Sequence, residues 1–372
     1  MFLGLREISR AKLRFGLLSG AVGLLVFLIL FQQALLGGLI NQFIGALRNQ
    51  SGAVVVFNDQ ARKNVEGSVI LPGQLEKVRA VAGVATAAPI GEATFTVQAG
   101  GSDRDTAIFG YPLGSLGAPT TLVSGRLPQA PGEAVASEKD RNDGFGIGST
   151  VRVLPNGPTI TVVGLSRDTN YSVNAALFVD TSTYEEAKRG VNPDATQIPP
   201  SYLSVEPAPG VSASALAARI SAAVPGVEGL TRQQAIDGSP GVSSVRSSFA
   251  VILALFYAIV PLVTGLFFVI ITFQKASALT LLRAIGAPAS ALVRALLVQV
   301  VIVMAAGSVV AFGLYAGVIQ GVRNLGLRVE VMPVVATSLV VLALALLTAL
   351  VAIRRVLRID PLSATTGAGV RA

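Results

Sequence analysis

Few residues in this chain stand at spacings that could do covalent chemistry. Ser9 and Lys12 match an S-x-x-K pattern, in which a lysine can activate a serine hydroxyl. Paired carboxylates occur at Glu185-Glu186 and at Asp103 and Asp105, and Gly144, Gly146 and Gly148 form a dense glycine run. Each has a plainer reading in its surroundings. Ser9-Lys12 sits in a basic N-terminal segment without companion motifs, the carboxylates lie among polar residues as solvated surface does, and the glycines read as a turn. A phosphate-cradling G-x-x-x-x-G-K-[ST] segment is absent, so the chain does not read as an ATPase. With no Cys and no His, thiolate and imidazole chemistry and most zinc or haem ligation are excluded. No catalytic residue and no metal site are expected, and the chain is not expected to be an enzyme.

Polar groups inside apolar runs are the remaining candidates, because hydrocarbon burial is costly and marks function by default. Gln32 and Gln33 lie near one end of a first long apolar run, Tyr257 lies in a second, and Gln299 in a third. The spacing makes Gln32, Gln33 and Tyr257 a candidate substrate cleft. Pro261 removes a backbone bond to the Tyr257 carbonyl and Gly265 softens the same turn, so this pair is a candidate hinge. Gly313, Gly317 and Gly321 repeat at four-residue intervals, a spacing that lets helix backbones approach closely.

The elements that carry these residues follow from composition. The 372 residues are 52% hydrophobic and 13% charged, with a formal net charge of +8. That balance argues against a soluble chain. Phe15–Leu36, Phe249–Phe273, Ala295–Ile319 and Val334–Ile353 are long enough to span a bilayer. Segments 1–14, 274–294 and 354–372 together hold 11 Lys/Arg against 2 Asp/Glu, whereas 37–248 holds 16 against 18. Positive charge gathered at membrane edges is topology rather than nucleic-acid binding, and it places both termini in the cytoplasm. Arg6, Arg10 and Arg14 form one stripe of a helix suited to anionic membrane lipids.

The expected fold class is a membrane α-helical protein with four transmembrane helices. A large extracytoplasmic α+β domain is inserted between the first and second spans. Residues 1–14 form a cytoplasmic interfacial helix and 15–48 the first transmembrane helix and its stalk. The stalk is read from Leu36, Leu39, Ile40, Phe43, Ile44 and Leu47, which step as one helical face. The extracytoplasmic domain takes 49–240, and a second stalk with its transmembrane helix takes 241–273. A basic cytoplasmic loop (274–294), a third span (295–320), a short external loop (321–332), a fourth span (333–353) and a cytoplasmic tail (354–372) follow.

Within the inserted domain, strands are expected at Ala53–Phe57, Ala93–Gln98, Thr106–Gly110, Gly148–Leu154, Thr159–Leu165, Ala175–Val179 and Tyr202–Val205. Helices are expected at Gly73–Val81 and Ser212–Ala223. Both helices end alike, in Ala82-Gly83-Val84 and Pro225-Gly226-Val227, which predicts two related βαβ-type halves.

The basic loop is the stretch most open to a soluble partner. Ala276–Ile285 is rich in Ala and Leu, Gly286 supplies a helix C-cap, and Pro288 suits the start of a second helix. LTLLRAIGA, Leu279–Ala287, resembles the signature between the second and third spans of FtsX/MacB-type ABC transporter permeases. IDPLSA, Ile359–Ala364, resembles the Asp-Pro motif after the last span, and the layout of spans agrees over the whole chain. One departure is Ala278, where these permeases often carry an acid. Ser124–Ser137 with the strands after it resembles the MacB-type periplasmic core, which implies a barrel-like subdomain near 120–180.

The resemblance implies a permease subunit in the bacterial inner membrane that exports or extracts hydrophobic or amphipathic molecules by mechanotransmission. It implies a separate ABC ATPase carrying ATP and Mg, a second copy of this chain, and an extracytoplasmic adaptor or hydrolase as further partner. Leu281, Leu282, Arg283, Ala284, Ile285, Gly286 and Ala287 would couple to the ATPase. No cofactor is expected on this chain. The alternative within the family is an FtsX-like signalling scaffold that activates a cell-wall hydrolase without moving cargo.

Overall fold

Helix placement follows the uncharged runs. The computed structural model describes residues 11–274, 288–321 and 331–357. Contacts divide the chain into two units, Met1–Leu36 with Ser248–Ala372, and Gly37–Ser247. The first helix, α1, runs Lys12–Arg48 with a break at Ile44.

The inserted unit begins with β1 (Val54–Asn58), α2 (Gln74–Arg79) and β2 (Val84–Ala99). It ends with β9 (Tyr202–Pro207), α4 (Ala213–Ala223) and β10 (Val227–Thr231). β1 is antiparallel to both β9 and β10, and β2 is antiparallel to β9. The two expected βαβ halves therefore exist, but interlocked, in the order β10-β1-β9-β2. This is a split βαβ, ferredoxin-like sheet. Val54, Val56, Leu203 and Val205 bury one face of it against Val78 of α2 and Leu216 and Ile220 of α4. Ser212 caps α4 by accepting from the Ala215 N–H at 3.2 Å.

Between β2 and β9 the chain builds a barrel. β2 turns back into β3 (Ser102–Tyr111), and β4 (Leu122–Gly125), β5 (Glu133–Ser137), β6 (Thr150–Val153), β7 (Thr159–Ser166) and β8 (Ala175–Asp180) follow. Pairing runs β2-β3-β8-β5-β7-β6 and returns from β6 to β2, so six strands close a ring. The ring reaches from about residue 91 to 180, wider than the expected 120–180, because the far half of the long strand β2 is one of its staves. Alternation supplies the interior: Phe95, Val97, Ile108, Val151, Val153, Ile160, Val162 and Leu177 point into one core. Helix α3 (Thr181–Val191), capped by Asp180, closes one end with Tyr184 and Ala187.

A short α5 (Arg232–Gly238) with a Thr231–Gln234 capping box leads out of the domain. The membrane unit then adds α6 (Val242–Gln274), α7 (Ala289–Gly321) and α8 (Val331–Leu357). The second helix expected to start after Pro288 is thus the opening of α7. With α1, four helices among the described residues are long and apolar enough to span a bilayer. Val22, Val26 and Ile29 of α1, Val260 of α6, Val300, Val303 and Met304 of α7, and Val341, Ala345 and Ala349 of α8 share a core. On α1, α7 and α8 their spacing of three and four residues marks one face of the helix. Val251, Leu255, Leu262 and Leu266 of α6 are exposed instead, as a lipid-facing stripe requires.

Candidate functional site

Two of the three polar residues of the expected cleft meet. The Gln33 side-chain amide donates to the Tyr257 hydroxyl at 3.2 Å, and Thr337 donates its hydroxyl to Gln33 Oε1 at 3.2 Å. α1, α6 and α8 are joined by this relay. Gln32 is half-buried beside it, and Gln299 is buried within α7. Thr337 carries no signal in the sequence, since a threonine in an apolar helix usually bonds its own backbone, as Thr264 does to the Val260 carbonyl at 2.8 Å.

Removing Gln33 takes a partner from the half-buried Tyr257 hydroxyl and from the buried Thr337 hydroxyl. Gln33→Leu is expected to destabilise the bundle by ~1 kcal/mol, the scale of interhelical hydrogen bonds in membranes. Thr337→Val in that background should then cost nothing more. Additive losses, measured by unfolding in detergent, would refute the relay.

Pro261 lies inside α6, which continues to Gln274. Gly265, the second hinge candidate, faces α8: a Cβ there would sit 3.4 Å from Thr348 Cβ. The close helix approach lies at Gly23 of α1 and Gly307 of α7, where a Cβ on Gly23 would come within 2.9 Å of the Gly307 carbonyl oxygen. Gly313, Gly317 and Gly321 have nothing within 4 Å of the equivalent position. Leu281, Leu282, Arg283, Ala284, Ile285, Gly286 and Ala287 lie outside the described residues.

A second arrangement, in the inserted unit, joins the end of α1 to the barrel. Ile44 leaves helical geometry (φ −143°, ψ 17°), and the backbone bonds freed there are taken by the loop after β7. The Ala46 N–H donates to the Asn170 carbonyl at 3.0 Å, while Ser172 and Val173 donate to the carbonyls of Phe43 and Gln42 at 2.9 Å each. Asn49 adds a side-chain bond to the Asp168 carbonyl at 2.6 Å. Asp168, Ser172 and Val173 hold positive φ of 54°, 48° and 68°, which turns the loop back onto the helix. At these positions bonds of a helix ladder have been exchanged for bonds to the loop.

Arg232 ties the same helix end to α5. Its guanidinium donates to the carbonyls of Arg48 and Gln50, and its own N–H to Ala53 at 3.1 Å. Burial lowers its pKa below the usual arginine value, although it remains charged. The Gln50 side chain, 2% exposed, accepts from the Tyr202 hydroxyl at 2.5 Å. Beneath the loop, Asn170 donates to Asp140 at 2.7 Å, opposing the upward pKa shift that burial imposes on that carboxyl. None of these residues stands out in sequence, because each acts through a partner far away in the chain.

The model of the MacB-like periplasmic core domain matches residues 17–223. A Staphylococcus haemolyticus permease protein named for hemin transport, HrtB, is 22% identical over 99% of both chains. An uncharacterized ABC transporter permease of Mycobacterium tuberculosis is 25% identical over 99% of both. The periplasmic region of MacB from Actinobacillus actinomycetemcomitans superposes with a TM-score of 0.37 at 12% identity, covering 50% of this chain and 92% of that one.

Proposed function

The chain belongs to the MacB-like periplasmic core domain family, and from that premise we propose that it couples ATP hydrolysis on a partner subunit to export or extraction of a hydrophobic or amphipathic molecule. As an ABC transporter permease subunit it is a multi-pass inner-membrane protein, and it works with an ABC ATPase. Two copies of the chain would pair with two ATPases. The inserted domain would lie outside the cytoplasm, with both termini inside.

The observation that carries this reading is the joint between the end of α1 and the barrel loop 168–174. A span that continues into the inserted domain, with its backbone stitched to that domain's loop, transmits displacement rather than absorbing it. The spans support the same reading from the other side. The described parts of α6 and α8 that are deepest in apolar sequence hold no ionised side chain, so a polar translocation path is not built into them. Hemin, named for the Staphylococcus relative, is a molecule of the expected amphipathic kind.

The input would come through 281–287. Leu281, Leu282 and Ile285 would form an apolar edge on a helix, with Arg283 as the orienting charge. In nanodiscs with the ATPase that co-purifies with the chain, Arg283→Glu should lower permease-stimulated ATP hydrolysis at least tenfold while the spans still insert. Arg283→Lys should be intermediate, because charge remains and bidentate geometry is lost. Wild-type stimulation by the Glu variant would remove Arg283 from the coupling path.

A further inference from the structure

A cavity of about 680 Å³ opens in the inserted unit among β2, the helix α3 that closes the barrel end, and the segment before β9. Glu66, Glu92, Phe95, Tyr184, Lys188 and Ile198 are among its walls. Glu92 is 3% exposed, and neither carboxyl oxygen has a hydrogen-bond partner. Its backbone, by contrast, is fixed: its N–H donates to Ser201 Oγ at 3.0 Å, and its carbonyl accepts from Ser201 and from the Tyr184 hydroxyl at 3.1 Å each. The Tyr184 ring is equally fixed, filling the space over Gly91 and Gly110 where no Cβ would fit. A buried carboxyl held in place without a partner is costly, and the fold keeps it.

The same walls already hold a cation. The Lys188 ammonium lies 5.8 Å from the centre of the Phe95 ring and 6.0 Å from that of Tyr184. Those rings stand edge to face, 6.2 Å apart, as two sides of an aromatic corner. We propose that this cavity binds an organic ammonium, whose charged head takes the place of the Lys188 ammonium in the aromatic corner and pairs with Glu92. Phe95, Ile198 and Pro199 supply apolar surface for its hydrocarbon part, and Glu66 adds a second negative charge at the wall. The site lies within residues 66–201 and stands whether or not the chain moves cargo.

Electrostatics gives the binding a signature. Burial, with Glu66 reinforcing it and Lys188 opposing it, pushes the Glu92 carboxyl up to about 8. The other titratable groups facing it, Tyr171, Tyr184 and Tyr202, stay neutral, their own ionisation disfavoured first by burial and then by Glu92. Below pH 8 an incoming ammonium must therefore expel the Glu92 proton to solvent, and affinity should rise roughly tenfold per pH unit until the carboxyl is ionised.

The test uses the full chain in zwitterionic nanodiscs, with phenethylammonium as probe and phenylacetate as the anionic control, followed by calorimetry from pH 6 to 9. Saturable phenethylammonium binding that strengthens with pH, with none for phenylacetate, is expected. Glu92→Gln should bind at least tenfold more weakly at pH 8.5 with no pH slope, and Lys188→Gln several-fold more tightly. Gln keeps the uncharged shape of the buried acid. The raised carboxyl pKa costs the wild type stability as pH climbs from 4.5 towards 8, because the unfolded chain ionises first. The Gln variant should accordingly melt at or above the wild type at pH 8. A flat pH profile in the wild type, an unchanged affinity in Glu92→Gln, or weaker binding in Lys188→Gln would each overturn the assignment.

Discussion

Gly45→Val should lower the melting temperature of the chain by several degrees and leave ATP hydrolysis running with little transport. Gly45 follows the break at Ile44, and a Cβ there would run into the Asp168 carbonyl, with its carbon at 3.0 Å and the Asn170 carbonyl oxygen at 3.2 Å. These are backbone atoms, which cannot swing aside as a side chain would. The loop must move off α1, losing the bonds from Ser172 and Val173 and the one to Asn170. Overpacking of this kind costs ~1–3 kcal/mol, and the lost ladder adds to it. Circular dichroism melting reads the first effect, and hydrolysis against export in proteoliposomes reads the second. Wild-type export by a destabilised variant would show that the joint is a support and carries no motion.

The second large effect is expected at Gly23. Replacement by leucine puts a Cβ 2.9 Å from the Gly307 carbonyl oxygen and 3.0 Å from Val310 Cβ, before the rest of the side chain is placed. Helices α1 and α7 must separate, and the core of Val22, Val26, Val303 and Met304 opens with them. A loss of ~3 kcal/mol is expected, read as lower resistance to detergent unfolding. Gly317→Leu is the paired control. Nothing lies within 4 Å of its Cβ position, so the single chain should tolerate it. Damage from Gly317→Leu that appears only in the assembled transporter would locate that face against a second copy. A Gly23→Leu protein as stable as wild type would refute the close contact.

These glycines show where sequence is informative and where it falls silent. The spans could be read because a bilayer demands some twenty apolar residues in succession, a demand local in the chain. The barrel strands could be read for the same kind of reason, since the buried Val151, Val153, Ile160 and Val162 alternate with the exposed Arg152 and Thr161 over a few residues. The run Gly313, Gly317, Gly321 has the spacing of a packing face, but spacing does not say which face of α7 turns inward. Gly23 and Gly307 are single residues on different helices and leave no pattern at all. Thr337 and Arg232 are silent for a related reason: their partners lie 304 and up to 184 residues away. Gln33 and Tyr257 were recognisable as polar residues in apolar sequence, but not as partners of one another. The interlock of the two βαβ halves was hidden because β1 pairs with strands at the far end of the domain.

That interlock has a bearing on how the chain is made. β1 is finished by Asn58, yet the strands on either side of it, β9 and β10, span 202–207 and 227–231. During synthesis about 150 residues emerge before β1 can form a single ladder bond, and both its edges are bare for that time. The barrel needs only residues 91–180 or so and so has far lower contact order. It is therefore the nucleus expected to form first, and its closure draws the two ends of the insert towards each other. Until β9 arrives, the Val-Val-Val-Phe segment of β1 is an unpaired, aggregation-prone strand, and the vulnerable interval of this protein falls in its synthesis rather than in its working cycle.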